Sequence, residues 1–231
     1  MTDTQLGSNA APTGAPGRLV LLRHGQTVWS ESGQHTGRTN IPLTDTGRAQ
    51  AEAAGARLRE VFPNGFRVFS SPLRRARQTA QLAGYGDFEV LPEIAEWDYG
   101  RAEGRTRQEI SKASGFTWDV WRDGPQSIPE SLEGDWVETL PDGEQVPVHN
   151  GPGETVEEAA ARTREAIAAV KPLLDAGQDV LLVAHAHVLR ILTSQWLGVE
   201  PRFARLLRLD TAHYCVLGQY KGDNVIEHWN C

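Results

Sequence analysis

Two histidines stand in matching places, and their neighbours indicate what they handle. His24 follows "LVLL" and Arg23, and His185 follows "VLLVA". A short aliphatic run closed by a polar residue reads as a buried strand, so each histidine sits where a strand ends. In open α/β sheets ligands bind beyond the carboxyl ends of the parallel strands. If the two strands are neighbours, both imidazoles meet at one place. The stretch "SPLRRARQTA" (71–80) adds three arginines in the opening turns of a helix. There the free N–H groups and the helix dipole also favour an anion, although spacing alone does not choose among Arg74, Arg75 and Arg77. The strand ends in charge because an anion sits there. A third stretch, "EIAEWDYG" (93–100), offers the carboxyl of Glu96 with Asp98 two residues on.

These groups need a scaffold, and the patterning supplies one. "RLVLL" (18–22), "FRVF" (66–69), "FEVL" (88–91) and "DVLLVA" (179–184) read as strands. Between them lie helical periods. Residues 44–61 carry Ala51, Ala54, Leu58 and Val61 on one face, with Thr44 as N-cap. The helix after "FRVF" starts with Ser71 as N-cap and Pro72 in the first turn. A longer one opens at Thr155 with a capping box to Glu158 and is limited by Pro172. "HVLRILTSQWLG" (187–198) continues as a helix, and "HYCVLGQYK" and "NVIEHWN" close the chain as strands. Strands alternating with helices predict a three-layer α/β/α sandwich around a mainly parallel sheet. Residues 101–153 break the pattern. With Trp97 just before, they bring in Trp118, Trp121 and Trp136 amid prolines, glycines and acids. They read as a cap-like insertion over one end of the sheet rather than a separate domain.

The bulk numbers bound the rest. The chain has 231 residues, 39% of them hydrophobic, enough for one well-filled domain. No apolar run approaches the ~18 residues of a membrane span, and residues 1–17 read as a disordered tail without the pattern of a secretory signal. Only Cys215 and Cys231 are available for disulfides, so a reducing cytoplasm is the expected location. A net charge of −7 argues against nucleic acid as a partner, and homodimerisation is left open.

Taken in order, these stretches resemble the histidine phosphatase superfamily, the phosphoglycerate-mutase-like proteins. "LRHGQTVWS" is similar to its nucleophile motif, "HTGRTNIPLTDTGRAQA" to its substrate loop and first helix, and "SSPLRRARQTA" to its phosphate-arginine element. "EIAEWDYG" resembles its proton-donor segment, "NGPGETVEEAAAR" the opening of the next helix, and "VLLVAHAHVLR" its second-histidine motif. The resemblance implies His24, Glu96 and His185 as the catalytic set, with His24 attacking through a neutral ring nitrogen and a protonated His185 gripping the phosphoryl group. It implies Arg23, Arg75 and Ser30 as phosphate ligands. Gln34, Thr36, Gly37 and Arg38 fall on its substrate loop. No cofactor and no metal are implied. The expected activity is metal-independent hydrolysis of a small phosphomonoester through a phosphohistidine. "SGQHTGRTNIPLT" and "TWDVWRDG" look most like the branch holding fungal sedoheptulose-bisphosphatase and some actinobacterial acid phosphatases, which implies a phosphorylated sugar or related metabolite. The sequence departs from the family at Ala186, usually glycine, and at Ser30, often asparagine.

Three rival readings are weighed against this one. A phosphoglycerate mutase shares every catalytic residue but needs a basic pocket for a second phosphate. Residues 123–158 contain no lysine or arginine, while Glu130, Glu133, Asp135, Glu138, Asp142 and Glu144 make that segment acidic. A metal hydrolase would use His185 and His187, alternating on one strand, with an Asp or Glu. A non-catalytic phosphate-binding scaffold would be expected to lack the nucleophile or the acid, and both are present.

Overall fold

The computed structural model describes residues 15–231, so the expected tail falls largely outside the described residues. Gly17 already belongs to the packed domain. Its N–H donates to the Leu174 carbonyl at 2.8 Å, and a Cβ there would overlap the Gln178 backbone.

In chain order, β1 (Leu19–Arg23) leads through the short α1 (Val28–Ser32) to α2 (Asp45–Val61), then β2 (Arg67–Ser70), α3 (Arg74–Leu82) and β3 (Glu89–Val90). The 101–153 segment contains α4 (Arg107–Ser114), α5 (Val120–Asp123) and a hairpin of β4 (Trp136–Thr139) and β5 (Gln145–Val148). The chain then forms α6 (Val156–Asp175), β6 (Val180–Ala184), α7 (Ala186–Trp196), β7 (Tyr214–Tyr220) and β8 (Asp223–His228). Among the described residues the main sheet runs β3-β2-β6-β1-β7-β8. Its first four strands are parallel, and β7 and β8 are antiparallel.

Strand alternation sorts the apolar side chains onto two faces. Leu19 and Leu21 of β1, with Val180 and Leu182 of β6, pack with Val170 and Leu174 of α6 and Leu189 and Leu192 of α7. Val20, Leu22, Leu181 and Val183 pack on the other face with Ala54 and Leu58 of α2 and Ala76 and Ala80 of α3. Each such buried aliphatic contributes roughly 1.5–3 kcal/mol. The result is the α/β/α sandwich that the sequence predicts.

Several local expectations differ. Val61 is exposed, and Phe62, the residue after it, takes the buried place at the end of α2. Pro172 lies inside α6, which runs on to Asp175. α3 begins at Arg74 with Leu73 at the cap position, not Ser71. Ser71 is still tied to the sheet, its N–H donating to the Val183 carbonyl at 2.9 Å.

Register then brings the site together. Arg23 lies opposite Ala184, and Ser70 lies opposite Val183. One residue further, the His24 N–H donates to the Ala184 carbonyl at 2.9 Å. Ser71, His185 and His24 therefore meet at the carboxyl end of three neighbouring parallel strands. The loop after His24 turns tightly past α2. A Cβ on Gly25 would lie 2.2 Å from the Gly47 carbonyl oxygen, so the residue following the histidine must be glycine.

Candidate active site

The imidazoles of His24 and His185 lie with centroids 5.1 Å apart and planes inclined by 58°. Nδ1 of His24 is 2.7 Å from the Gly25 carbonyl. A carbonyl only accepts, so Nδ1 carries the proton and Nε2 keeps its lone pair. Burial, then the charges of Arg75 and Arg23, push the His24 pKa well below 6.5, so the ring is neutral near pH 7. His185 is held in the opposite tautomer. Nε of Arg75 donates to its Nδ1 at 3.0 Å, and its Nε2 lies 2.7 Å from the Ser71 hydroxyl. A proton on Nδ1 would face a guanidinium N–H, and burial with the Arg75 charge also holds the His185 pKa well below 6.5. The protonated His185 expected from the resemblance is not present in the free protein; the ring is neutral with its proton on Nε2.

Arg75 is fully buried. Besides His185 it donates from Nη1 to the Thr39 carbonyl and from Nη2 to the Thr36 and Gly37 carbonyls, each at 2.9 Å. One N–H, on Nη1, is left over. Burial lowers this guanidinium to about 10, which keeps it charged at neutral pH. Arg23 donates from Nη1 to the Leu209 carbonyl at 2.7 Å, and its Nε is buried with no partner among the described residues.

Glu96 occupies an unexpected structural place. His185 stands at the N-cap of α7 but makes no side-chain cap bond. The first free N–H groups of α7 are taken instead by Glu96. Its Oε2 accepts from His187 N at 3.2 Å, and its Oε1 accepts from Val188 N at 2.8 Å and Trp97 N at 2.9 Å. The carboxyl thus does from a distance what a capping side chain does locally, and the His185 ring is released for the site. Arg162 of α6 fixes the backbone that carries Glu96, donating to the carbonyls of Glu93 and Ala95 at 2.7 Å and of Glu96 at 3.1 Å.

A cavity of about 440 Å³ opens beside these groups. Of the predicted residues, Arg23, His24, Ser30, Gln34, Thr36 and Glu96 line it, while His185, Arg75, Gly37 and Arg38 do not. His185 and Arg75 sit behind His24. Gly37 is buried against Glu103. Arg38 is exposed and faces Asp98 at 3.8 Å. The Ser30 hydroxyl also closes the α1 capping box, accepting from Thr27 N at 2.8 Å and donating to the Thr27 carbonyl at 2.9 Å. Gln34 Nε2 donates to the Gly104 carbonyl at 2.9 Å. The residue in the usual glycine position, Ala186, lines the cavity as the first residue of α7.

The cavity also has walls that sequence reasoning overlooked. Arg190 of α7 and Arg205, Leu206 and Arg208 line it, and Arg190 lies 4.8 Å above the Trp121 ring. The signal was present in "RFARLLR" (202–208), with arginines every third residue. Arg205 lies in a 3₁₀ helix over residues 201–206 and Arg208 just beyond it, while Arg202 points away from the cavity and donates to Glu157 and the Trp121 carbonyl. The cavity is therefore arginine-rich despite the acidic chain. The acidic segment is compensated in part and does not cover the cavity. Glu133 pairs with Arg101 at 2.6 Å, Asp135 with His149 at 2.8 Å, and Glu144 with Arg74. No residue of 101–153 lines the cavity. Its hairpin packs beside it on Trp29 and Ile41.

His187 also departs from expectation. It lies within α7, not on a strand with His185, and its Nδ1 is 2.6 Å from the Tyr99 hydroxyl. Among the described residues no group of three or more His, Cys, Asp or Glu side chains is arranged to hold a metal ion. No helix among them is long and apolar enough to cross a membrane.

Known proteins resemble this chain in sequence and fold. The model of the histidine phosphatase superfamily (branch 1) matches residues 19–231. The chain is 39% identical to an acid phosphatase of Mycobacterium tuberculosis, over 87% of this chain and 86% of that protein. It is 31% identical to sedoheptulose 1,7-bisphosphatase of Saccharomyces cerevisiae, over 88% and 80%. A 2,3-bisphosphoglycerate-dependent phosphoglycerate mutase of Bifidobacterium longum is 34% identical over 75% and 74%. Among solved structures, a mycobacterial glucosyl-3-phosphoglycerate phosphatase superposes with a TM-score of 0.73 at 26% identity, covering 93% of this chain and 99% of that one. The ordered motifs, the sheet that aligns them and these matches lead to one conclusion: the chain belongs to branch 1 of the histidine phosphatase superfamily.

Proposed function

We propose that the protein is a metal-independent phosphatase that hydrolyses small phosphomonoesters, sugar phosphates foremost, through a phosphohistidine on His24. The observation that carries this reading is the neutral His24 ring, its proton fixed on Nδ1 by Gly25, at the wall of an arginine-lined cavity. The Nε2 lone pair attacks phosphorus and the ester P–O bond breaks. Glu96 gives its proton to the leaving oxygen, then takes one from the water that cleaves the P–N bond and releases inorganic phosphate. Arg23, with a buried Nε unpartnered among the described residues, binds a phosphoryl oxygen, and the Ser30 hydroxyl binds another once its proton turns from the Thr27 carbonyl. Neutral His185, its Nε2 held by the Ser71 hydroxyl, backs the His24 ring, and Arg75 supplies its remaining N–H and its charge from behind the imidazoles. This fixed positive field favours the transition state, in which charge spreads over the phosphoryl oxygens. Gln34 and Thr36 face the alcohol portion, and Arg38 lies outside the cavity in the free protein.

Arg190, Arg205 and Arg208 favour a substrate with a second anionic group, in keeping with the activity named for the yeast relative. The same cations make a phosphoglycerate mutase the second reading. Phosphate release from a panel of sugar mono- and bisphosphates tests the first. Incubation with 3-phosphoglycerate and the bisphosphate activator tests the second. If 2-phosphoglycerate forms faster than phosphate leaves the best monoester, the phosphatase reading is wrong. Arg205→Ala and Arg208→Ala should raise KM for bisphosphates and leave monophosphates nearly unchanged.

A further inference from the structure

One buried carboxylate outside the reacting set has no ion-pair partner among the described residues. Glu103 is 1% exposed, and it accepts backbone N–H bonds from a single loop. Gly37 N donates to both of its oxygens, at 3.0 and 2.9 Å, and Thr39 N donates to Oε1 at 3.0 Å. That loop turns its carbonyls the other way. Those of Thr36, Gly37 and Thr39 accept three of the five N–H groups of Arg75. One peptide unit, the Thr36 carbonyl with the Gly37 N–H, is thus clamped between the Glu103 carboxylate on its N–H side and the Arg75 guanidinium on its carbonyl side. The Gly37 and Thr39 carbonyls and the Thr39 N–H tie the adjoining units to the same two groups. Both ends favour the same alignment of the clamped peptide's dipole, so each group strengthens the other's hydrogen bond to it. The clamp needs close approach, and Gly37 permits it. A Cβ there would lie 2.6 Å from Glu103 Oε2 and 2.7 Å from the Trp97 carbonyl oxygen.

We propose that Glu103 is a positioning residue: through the 36–39 loop it orients Arg75, and so sets both the N–H left for the phosphoryl group and the tautomer of His185. The route is continuous, because Nε of the same guanidinium meets His185 Nδ1. Gly37 then belongs to this clamp and does not contact substrate. The inference rests on the reading that Arg75 binds the phosphoryl group.

The test is inorganic phosphate as a competitive inhibitor of aryl-phosphate hydrolysis, measured for the full chain and for Glu103→Gln, Arg75→Ala and the double variant. An amide at 103 turns an NH₂ toward N–H donors and removes the charge. Glu103→Gln should weaken phosphate binding roughly 10-fold or more, in the range for disrupting hydrogen bonds to charged groups. In the Arg75→Ala background it should weaken binding hardly at all, because the residue it acts through is gone. The ¹⁵N resonances of His185 in Glu103→Gln should show mixed tautomers in place of the Nε2–H form. If Arg75→Ala leaves phosphate binding unchanged, the underlying phosphate reading fails. If Arg75→Ala weakens binding but Glu103→Gln adds its full cost in both backgrounds, or leaves the His185 spectrum unaltered, the positioning role is overturned. Should Glu103→Gln not fold, Glu103→Asp, which keeps the charge but retracts it by a methylene, should show the same coupling to Arg75 at smaller size.

Discussion

Replacing Glu96 by Gln separates what this carboxyl does for the fold from what it does for the reaction. The amide oxygen can keep both bonds of Oε1, from Trp97 N and Val188 N. The new NH₂ stands where Oε2 accepted from His187 N. One N–H at the start of α7 is then left facing another donor. An unsatisfied buried donor costs about 1–3 kcal/mol. For a chain of this size that corresponds to a fall in Tm of about 2–12 °C. The kinetic loss should be larger and selective. General acid catalysis is worth about 10²–10⁴-fold, or roughly 2.7–5.4 kcal/mol, for an alkoxide that must be protonated as it leaves. Aryl oxides leave without that help. The assay is kcat for an alkyl phosphate and for an aryl phosphate, in the same two proteins, below the lowered Tm. The alkyl substrate should lose at least tenfold more than the aryl one. Equal losses would refute the reasoning and leave Glu96 as the distant cap of α7 alone.

Three further outcomes follow from the same geometry. His24→Ala should abolish turnover in a folded protein, and rapid quenching of the wild type should trap labelled phosphate on His24; label on any other residue refutes the assignment. Activity should survive exhaustive chelation, and a loss restored by added zinc would refute the metal-independent route. Burial and neighbouring arginines hold His24, His185 and His187 well below 6.5 in the folded state, while the unfolded chain takes up these protons near 6.5. Stability should therefore be full above about pH 6.5 and fall as the pH drops below it, by up to about 1.4 kcal/mol per pH unit for each histidine. Denaturant midpoints between pH 7 and 5 measure this, and an unchanged midpoint would contradict the neutral rings.

The sequence by itself determined whatever depends on neighbours along the chain. Aliphatic runs ending in His24 and His185 fixed the strands and the residues at their ends. The alternation of Leu19 and Leu21 with Val20 and Leu22 fixed two buried faces and hence three layers. Thr155 with Glu158 fixed the start of α6. Ordered motifs singled out Arg75 and Glu96, which spacing alone left open. Only tertiary structure decided what depends on distant partners. Ser71 reads locally as a cap, but the sheet holds its backbone and its hydroxyl turns to His185. Arg75 reads as a phosphate arginine, yet most of its donors go to a loop more than thirty residues earlier. His185 had no readable protonation state until Arg75 was found against its Nδ1. The acidic run around 130–144 looked uncompensated because its partners, the guanidinium groups of Arg74 and Arg101 and the imidazole of His149, are neighbours only in space. The cavity's own cations, Arg190, Arg205 and Arg208, arrive from the other end of the chain. Charges act through distance in space, which a one-dimensional pattern does not record. Local hydrogen bonds and periodic burial act through separation along the chain, which it does.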